Sequence, residues 1–232
     1  MKQRNLGPVL AALAVGAAFV LATSSRRRRE GAGSWDEAEA GGARAAAQID
    51  AAPLVEVRGA FDEVVVSAGA GPGIELTGFG VEQIADAVEV RRDEDGRRVV
   101  LEVRPRRRLD VFVPPGTALR LEMAQSHGVV YGVDDVDVRC ARSRVELRDV
   151  AGTIRVQSAK AAVDVDLARD RETRSVDVDV AKSRFALAVP ASRGGAYRVE
   201  TAKSGVTVPP SVEGGIPIAV RAARALVAIS AN

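Results

Sequence analysis

Hydrophobic and polar residues alternate along most of the chain after residue 50, in short runs separated by small or turn-forming residues. In "VDVDVAKSRFALAV" (residues 176–189), two alternating runs flank the triplet Ala-Lys-Ser. Alternation with period two and one apolar face predicts a strand that is buried on one side. We therefore expect residues 51–232 to form a single all-β domain.

Triplets related to Ala-cation-Ser recur from residue 119 onward at intervals of 17 to 22 residues. The anchoring alanines are Ala124, Ala141, Ala159, Ala181, Ala202 and Ala223. After the triplets, one apolar column contains Val145, Val163, Phe185, Val206 and Val227, and the next contains Leu147, Val165, Leu187, Val208 and Ile229. A unit this small cannot bury its own apolar face, so the units are expected to stack. The repeat favours a β-solenoid, similar to a parallel β-helix, over a sandwich or barrel of antiparallel hairpins.

The first half of this region is less regular. Residues 61–78 read as two strands separated by small residues, and "GRRVVLEVRP" and "LDVFVPP" read as further strands. The apolar residues of "VEQIADAVEV" (residues 81–90) fit a short helix as well as a strand.

The N-terminal part predicts a membrane attachment. Residues 1–5 form a short tail, and residues 6–24 read as one transmembrane helix that acts as a signal anchor. Residues 25–50 are rich in Gly and Ala and read as a linker. Four cations open that linker and are candidates for contact with lipid headgroups: Arg26, Arg27, Arg28 and Arg29. Their position predicts a single-pass membrane protein with a cytoplasmic domain; an extracytoplasmic domain and a cleaved signal stay open as alternatives.

The segments "FDEVVVSAGAGPGIELTG", "GRRVVLEV" and "LDVFVPPGTALRLEM", followed by the repeats, resemble a known bacterial family over residues 54–230. It is the putative-adhesin family of uncharacterised β-solenoid domains (DUF4097, related to the head GIN domain). The resemblance implies a solenoid fold, frequent attachment to the cell envelope and no established enzymatic activity. This chain departs from the family at the corners, which read Ala-Lys-Ser instead of Ser-Gly-Ser. The resemblance transfers no binding residues.

Composition limits the chemistry. The chain is 47% hydrophobic but only 3% aromatic, and its net charge of +2 argues against a dedicated nucleic-acid-binding protein. Catalysis by His127 with Ser126 is disfavoured, because adjacent strand residues point to opposite faces. Cys140 reads as a small core residue, and Asp164, Asp166 and Asp170 read as solvated surface rather than a calcium site. We predict no cofactor, no metal site and no catalytic residue.

One polar column remains as a candidate site. The residue after each anchoring alanine is a cation in five of six repeats, namely Arg142, Lys160, Lys182, Lys203 and Arg224, with Gln125 in the sixth. In a stack these cations would form a basic ladder along one edge. The sequence favours a solvated corner balanced by Glu122, Asp179 and Glu200, and a site for an anionic polymer or lipid headgroup is the alternative.

The sequence thus predicts a membrane-anchored, non-catalytic module that presents a strand surface to an unidentified protein or anionic-polymer partner. An alternative is a structural protein that forms homo-oligomers by stacking through its last repeat, "IPIAVRAARALVAIS". A carbohydrate-active β-helix enzyme is less favoured, because such a groove needs clustered carboxylates and aromatic subsites.

Overall fold

The structure is a computed structural model that describes residues 43–232. The predicted tail, transmembrane segment (residues 6–24) and arginines 26–29 lie outside the described residues. Within residues 43–232, no helix has the length and apolar character required to cross a membrane. The described chain is all-β, and its strands form one continuous sheet of 18 strands that curls over on itself.

The strands of the first half are β1 (Arg44–Ile49), β2 (Leu54–Ala60), β3 (Glu63–Ala68), β4 (Ile74–Phe79), β5 (Val88–Arg92), β6 (Arg98–Val103), β7 (Arg108–Val113), β8 (Ala118–Ala124) and β9 (His127–Tyr131). Those of the second half are β10 (Asp134–Ala141), β11 (Arg144–Ala159), β12 (Ala162–Leu167), β13 (Thr173–Ala181), β14 (Arg184–Val189), β15 (Gly195–Ala202), β16 (Gly205–Thr207), β17 (Ile216–Ala223) and β18 (Leu226–Ala231).

The sheet consists of two rows of mainly parallel strands. The front row runs β5-β6-β2-β8-β10-β11-β13-β17-β15. The back row runs β1-β4-β7-β3-β9-β11-β12-β14-β18-β16. The 16-residue strand β11 belongs to both, with its first part in the back row and its second part in the front row. This shared strand is where the sheet folds over.

Each front strand continues through a tight corner into a back strand, and we call this pair a layer. The predicted register within and between layers is confirmed: Ala141 pairs with Ala124 and Ala159, and Ala181 pairs with Ala159 and Ala223. The back-row column from Val145 to Val227 is also in register. Val208 is the exception, because β16 ends at Thr207 and Val208 is exposed.

The order of the layers differs from their order in the chain at both ends. The layer β17/β18 lies between β13/β14 and β15/β16, since Val220 pairs with both Val178 and Val199. Likewise β2 lies between β6 and β8. The prediction that residues 216–230 form an exposed terminal repeat is therefore wrong, because both faces of that layer are covered.

The apolar sides of the two rows face each other and form the core. Val176, Val178 and Val180 on the front row are 0–3% exposed, as the alternation predicts. Across the core, a Cβ added to Gly128 on the back row would lie 2.5 Å from Sδ of Met123 on the front row. The two rows thus interdigitate, and Phe185 is the one aromatic side chain fully buried between them within residues 43–232. Close packing of valine, leucine and alanine fills the rest of the core.

Two segments differ from expectation. Strand β1 (Arg44–Ile49) pairs antiparallel with β4, so the predicted linker boundary at residue 50 is wrong and folded structure begins by residue 44. The ambiguous residues 81–90 contain both elements, because a short 3₁₀ turn at Ile84–Asp86 leads into β5.

The observed register predicts a sharp contrast between neighbouring positions on β13. Val178→Asp should lower the free energy of unfolding by about 3 kcal/mol or more, because it places an unpaired carboxylate in the core. Asp179→Val should be neutral or slightly stabilising, because burial already raises the pKa of Asp179 and so penalises its charged form. Denaturant unfolding of both variants checks this, and equal losses of stability would contradict the register.

Candidate functional site

The corner residues of all eight layers adopt the left-handed backbone conformation, with φ between 54° and 61°. Each corner has one such residue, between its front strand and its back strand, and the stacked layers align these eight residues in a column. In spatial order they are Arg106, Phe61, Gln125, Arg142, Lys160, Lys182, Arg224 and Lys203. The backbone N–H of a corner residue typically donates to the anchoring alanine of the next layer, as in Lys160 N to Ala181 O at 3.0 Å. This geometry points every corner side chain away from the core.

Five consecutive layers of this column carry a cation, and we call Arg142, Lys160, Lys182, Arg224 and Lys203 the corner ladder. All five side chains are exposed. Arg224 lies between Lys182 and Lys203, because β17 lies between β13 and β15. In the part of the chain that the structure describes, no acid lies within 4.0 Å of these five cations. The ladder is therefore a line of positive charge that makes no ion pair among the described residues.

The acids that were expected to balance the ladder do other things. Glu122 pairs with Arg58 at 3.6 Å and with Arg139 at 3.7 Å. Glu200 pairs with Arg198 at 3.2 Å on its own strand. The expectation that nearby acids neutralise the corner is therefore wrong for both glutamates, and Asp179 has no ion pair within 4.0 Å among residues 43–232.

The outer face of the front row shows the opposite arrangement. One outward column alternates in sign along consecutive strands, reading Glu102, Arg58, Glu122 and Arg139. Next to it, Glu56 is only 1% exposed and is held by three arginines: Arg58 at 2.5 Å, Arg98 at 3.4 Å and Arg120 at 4.0 Å. Opposite charges on adjacent strands stabilise a sheet, and like charges destabilise it. The protein thus pairs its charges on this face but not on the corner ladder.

Small residues beside the ladder close the corners with hydrogen bonds. The hydroxyl of Ser183 donates to Ala181 O at 3.0 Å and accepts the N–H of Ala161 in the adjacent layer at 3.2 Å. Ser143 makes the equivalent bonds with Ala141 O and the N–H of Ser126. A hydroxyl therefore satisfies backbone groups of two layers at once, which explains the serine that ends four of the six triplets.

Asp62 replaces serine in this column at the corner that follows β2. Its N–H donates to the Ser126 hydroxyl at 3.4 Å, and its side chain is 5% exposed. Neither carboxylate oxygen has a hydrogen-bond partner among the described residues. Burial raises the pKa of Asp62 to about 6. Gly59 leaves the room for this larger side chain, because a Cβ there would overlap the carboxylate.

Three sequence candidates for chemistry are placed by the structure in structural roles. The Ser126 hydroxyl donates to Ala124 O at 3.0 Å, so it is committed to the backbone rather than to His127. Cys140 is buried, and burial raises the pKa of its thiol to about 12, which makes it unreactive at neutral pH. Asp166 accepts a hydrogen bond from Asn232 at 3.1 Å. Within residues 43–232, no group of three or more potential metal ligands comes together.

One depression on the front face holds two carboxylates. It encloses ≈ 90 Å³ and is lined in part by Arg155, Asp177, Asp179 and Arg221. Binding sites for small molecules usually measure about 300–1,000 Å³ and contain aromatic side chains, and no aromatic residue lines this one. The depression therefore gives no support to a carbohydrate-active groove.

Sequence reasoning missed the first two members of the column, Arg106 and Phe61. Neither is the middle residue of an Ala-cation-Ser triplet, yet both have the left-handed backbone conformation of the other corners. The backbone N–H of Arg106 donates to the carbonyl oxygen of Phe61 at 2.6 Å. The signal that could have revealed Phe61 is the preceding alanine, Ala60, which pairs in register with Ala124.

Comparison with known proteins assigns no family. No family model matches the chain, and no curated protein matches it significantly. Among solved structures, the chain is similar to a putative cell adhesion protein from Clostridium sporogenes, with 9% identity, a TM-score of 0.45, and coverage of 82% of this chain and 99% of that one. It is also similar to a putative adhesin from Parabacteroides merdae, with 10% identity, a TM-score of 0.32, and coverage of 81% of this chain and 95% of that one. A putative adhesin from Bacteroides fragilis has 7% identity, a TM-score of 0.38, and coverage of 81% of this chain and 96% of that one. TM-scores below 0.5 assign neither family nor function, so the resemblance to the putative-adhesin family stays a prediction.

The environment of Asp62 predicts a pH-dependent stability. Because its pKa is raised to about 6, Asp62 is neutral in the folded state at pH 4 and pays the full cost of its buried charge above pH 6. Asp62→Asn should therefore raise the free energy of unfolding by up to about 3 kcal/mol at pH 8 and by little at pH 4. Glu94→Gln removes a carboxylate at an exposed loop position and is the control, which should change the free energy of unfolding much less than Asp62→Asn at pH 8. An equal effect of Asp62→Asn at both pH values would contradict this account.

Proposed function

We propose that the chain is a membrane-anchored, non-catalytic binding module, built as a β-solenoid, whose corner ladder binds an extended polyanion. The observation that carries this proposal is the row of five exposed cations on consecutive layers with no acid within 4.0 Å. The solenoid assignment rests on the stacked layers and their in-register corners.

The backbone supports a role for charge at these positions. A left-handed residue other than glycine costs roughly 1–2 kcal/mol, and glycine and asparagine tolerate this conformation best. Stability alone would therefore favour Gly or Asn at each corner. Instead the column uses Lys or Arg in five consecutive layers, where the like charges also repel one another. Binding of an anionic ligand, which adds nothing to the stability of the free protein, explains the choice of Lys and Arg.

The spacing of the ladder suits a linear ligand. Parallel strands are about 4.8 Å apart, so five layers place their cations along a line of about 19 Å. A polymer that carries a phosphate or carboxylate every few ångströms could contact several cations at once, and each contact would release bound counterions. Anionic lipid headgroups share this chemistry but present it as a plane.

The binding test removes the three lysines without disturbing the corners. The variant Lys160→Asn, Lys182→Asn, Lys203→Asn introduces asparagine, which adopts the left-handed conformation more readily than lysine. It should therefore fold with unchanged or higher stability. With each cation worth about 1 kcal/mol near an anionic surface, its affinity for polyphosphate should fall about a hundredfold. Titration of the full chain, inserted in neutral vesicles without detergent, with polyphosphate, uronate polymer and anionic vesicles measures this and separates polymer from lipid.

A matched control removes the same charge elsewhere. Arg97→Asn, Arg155→Asn, Arg169→Asn takes three exposed cations from outside the ladder. It should bind like the parent protein, and parental binding should weaken steeply between 50 and 500 mM salt, since exposed charges are screened over about 8–10 Å at physiological ionic strength. If both triple variants bind as the parent does, the ladder is only a solvated corner and the proposed function is wrong.

Residues 6–24 and arginines 26–29 support the anchoring part of the proposal by their sequence. We expect the full chain to stay with membranes and its domain to lie on the cytoplasmic side. Reporter fusions at the C-terminus test sidedness: a reporter that is active only after export would contradict the cytoplasmic placement. N-terminal sequencing of the same fusions would reveal a cleaved signal.

A further inference from the structure

The two ends of the stack are built differently. At one end, antiparallel strands extend both rows beyond the parallel layers: β5 pairs with β6 in the front row, and β4 and β1 follow β7 in the back row. At the other end, the layer β15/β16 has a neighbour on one side only, since β15 pairs with β17 and β16 pairs with β18. Within residues 43–232, that end is an open sheet edge, and such edges are templates for pairing with another strand.

The hydrogen-bonding groups on this edge can be assigned. The backbone N–H and C=O groups of even-numbered residues in and next to β15 point toward β17. Ala202 O accepts from Arg224 N, and Gly194 O accepts from Ile216 N. Odd-numbered residues face outward: Gly195 O accepts from Val212 N at 2.9 Å, and Tyr197 N donates to Ser211 Oγ at 3.2 Å. The loop after β16 thus covers the start of the edge. The outward backbone groups of Val199 and Thr201 lie beyond these bonds.

The edge strand is complementary to itself in one register. In an antiparallel pair centred on Val199, the N–H and C=O of Val199 meet those of Val199 in a second copy, and Tyr197 faces Thr201. The same register places Arg198 opposite Glu200 twice, once on each side of the centre. A pair centred on Thr201 would place Arg198 opposite Ser204, and a pair centred on Tyr197 would place it opposite Ala196. Only the register centred on Val199 matches opposite charges.

We propose that a second copy of this chain docks on this edge, forming a two-fold symmetric dimer through β15 centred on Val199. The apolar side of the open layer supports a partner that continues the sheet. Tyr197, Val199 and Val206 pack against the core but stay partly exposed, whereas the equivalent Val178 and Phe185 are buried. In the dimer Val199 lies beside Val199 of the second copy and Tyr197 lies beside Thr201, and Tyr197 N–H exchanges the Ser211 hydroxyl for Thr201 O of the second copy. This inference does not depend on the proposed function of the corner ladder.

Cysteine cross-linking of the full chain in its membrane tests the register. Val199→Cys places two thiols at the two-fold axis, where paired residues have a Cα separation of about 5.5 Å, within the range for a disulfide. Thr201→Cys is the matched control on the same edge, and its two Cα atoms would lie about 14 Å apart. The native Cys140 is buried and contributes no background. Under mild oxidation, Val199→Cys should give a covalent dimer and Thr201→Cys should not.

Charge exchange tests the same contact in a background of Val199→Cys. Arg198→Glu should lower the yield of cross-linked dimer about tenfold, because it creates two like-charge pairs across the interface. Arg198→Glu combined with Glu200→Arg should restore the yield, since the pairs form again with their signs exchanged. No dimer from Val199→Cys, equal yields from Val199→Cys and Thr201→Cys, cross-linking to a different protein, or failure of the double exchange to restore the yield would each overturn the proposal.

Discussion

The structure depends on one hydrogen bond that recurs at the corners, from the N–H of a left-handed residue to the carbonyl oxygen of an alanine in the next layer. It ends the front strand, turns the chain through the corner and locks adjacent layers in register. A slip of one residue would turn the valines of every front strand outward, because side chains on a strand alternate between faces. Alanine and serine flank the corner in most layers, but the corner at Arg106 makes the equivalent bond to Phe61 O between Pro105 and Arg107, so the backbone conformation is what every layer shares.

The same bond decides which chemistry the protein can display. Since the left-handed residue must point away from the core, its side chain is free to vary, and the chain places a cation there in five consecutive layers. On the front face, by contrast, arginines alternate with acids, and the buried Glu56 contacts three of them. The two surfaces differ in whether their arginines and lysines form ion pairs with acids. The net charge of the whole chain is close to zero and does not reveal this difference. A balanced composition can therefore still contain an unbalanced line of charge.

Features set by local spacing were predictable from the sequence, and features set by layer order were not. The triplets revealed the anchoring alanines, the corner cations and the inward columns, because each depends on residues a few positions apart. The insertion of β17 between β13 and β15, and of β2 between β6 and β8, depends on which surfaces meet after the chain has turned back. The cluster around Glu56 follows from that insertion, since its partners Arg98 and Arg120 lie on β6 and β8. Asp62 was missed for a related reason, as its serine column is apparent only once β2 is placed beside β8.

The reversed order at the far end also determines which layer is weakest. If the layers followed chain order, β17/β18, with Ile218, Val220, Val227 and Ile229 in its core face, would form the edge. Instead this layer is buried between two others, and the edge falls to β15/β16, which has a three-residue back strand and exposed charges on its front strand. The apolar layer β17/β18 buries hydrophobic area against a neighbouring layer on each side. The more polar layer β15/β16 leaves less hydrophobic area exposed to water when it has a neighbour on one side only. The insertion thus moves the most hydrophobic terminal repeat away from solvent and leaves at the edge a strand whose charges restrict the registers in which another strand can pair.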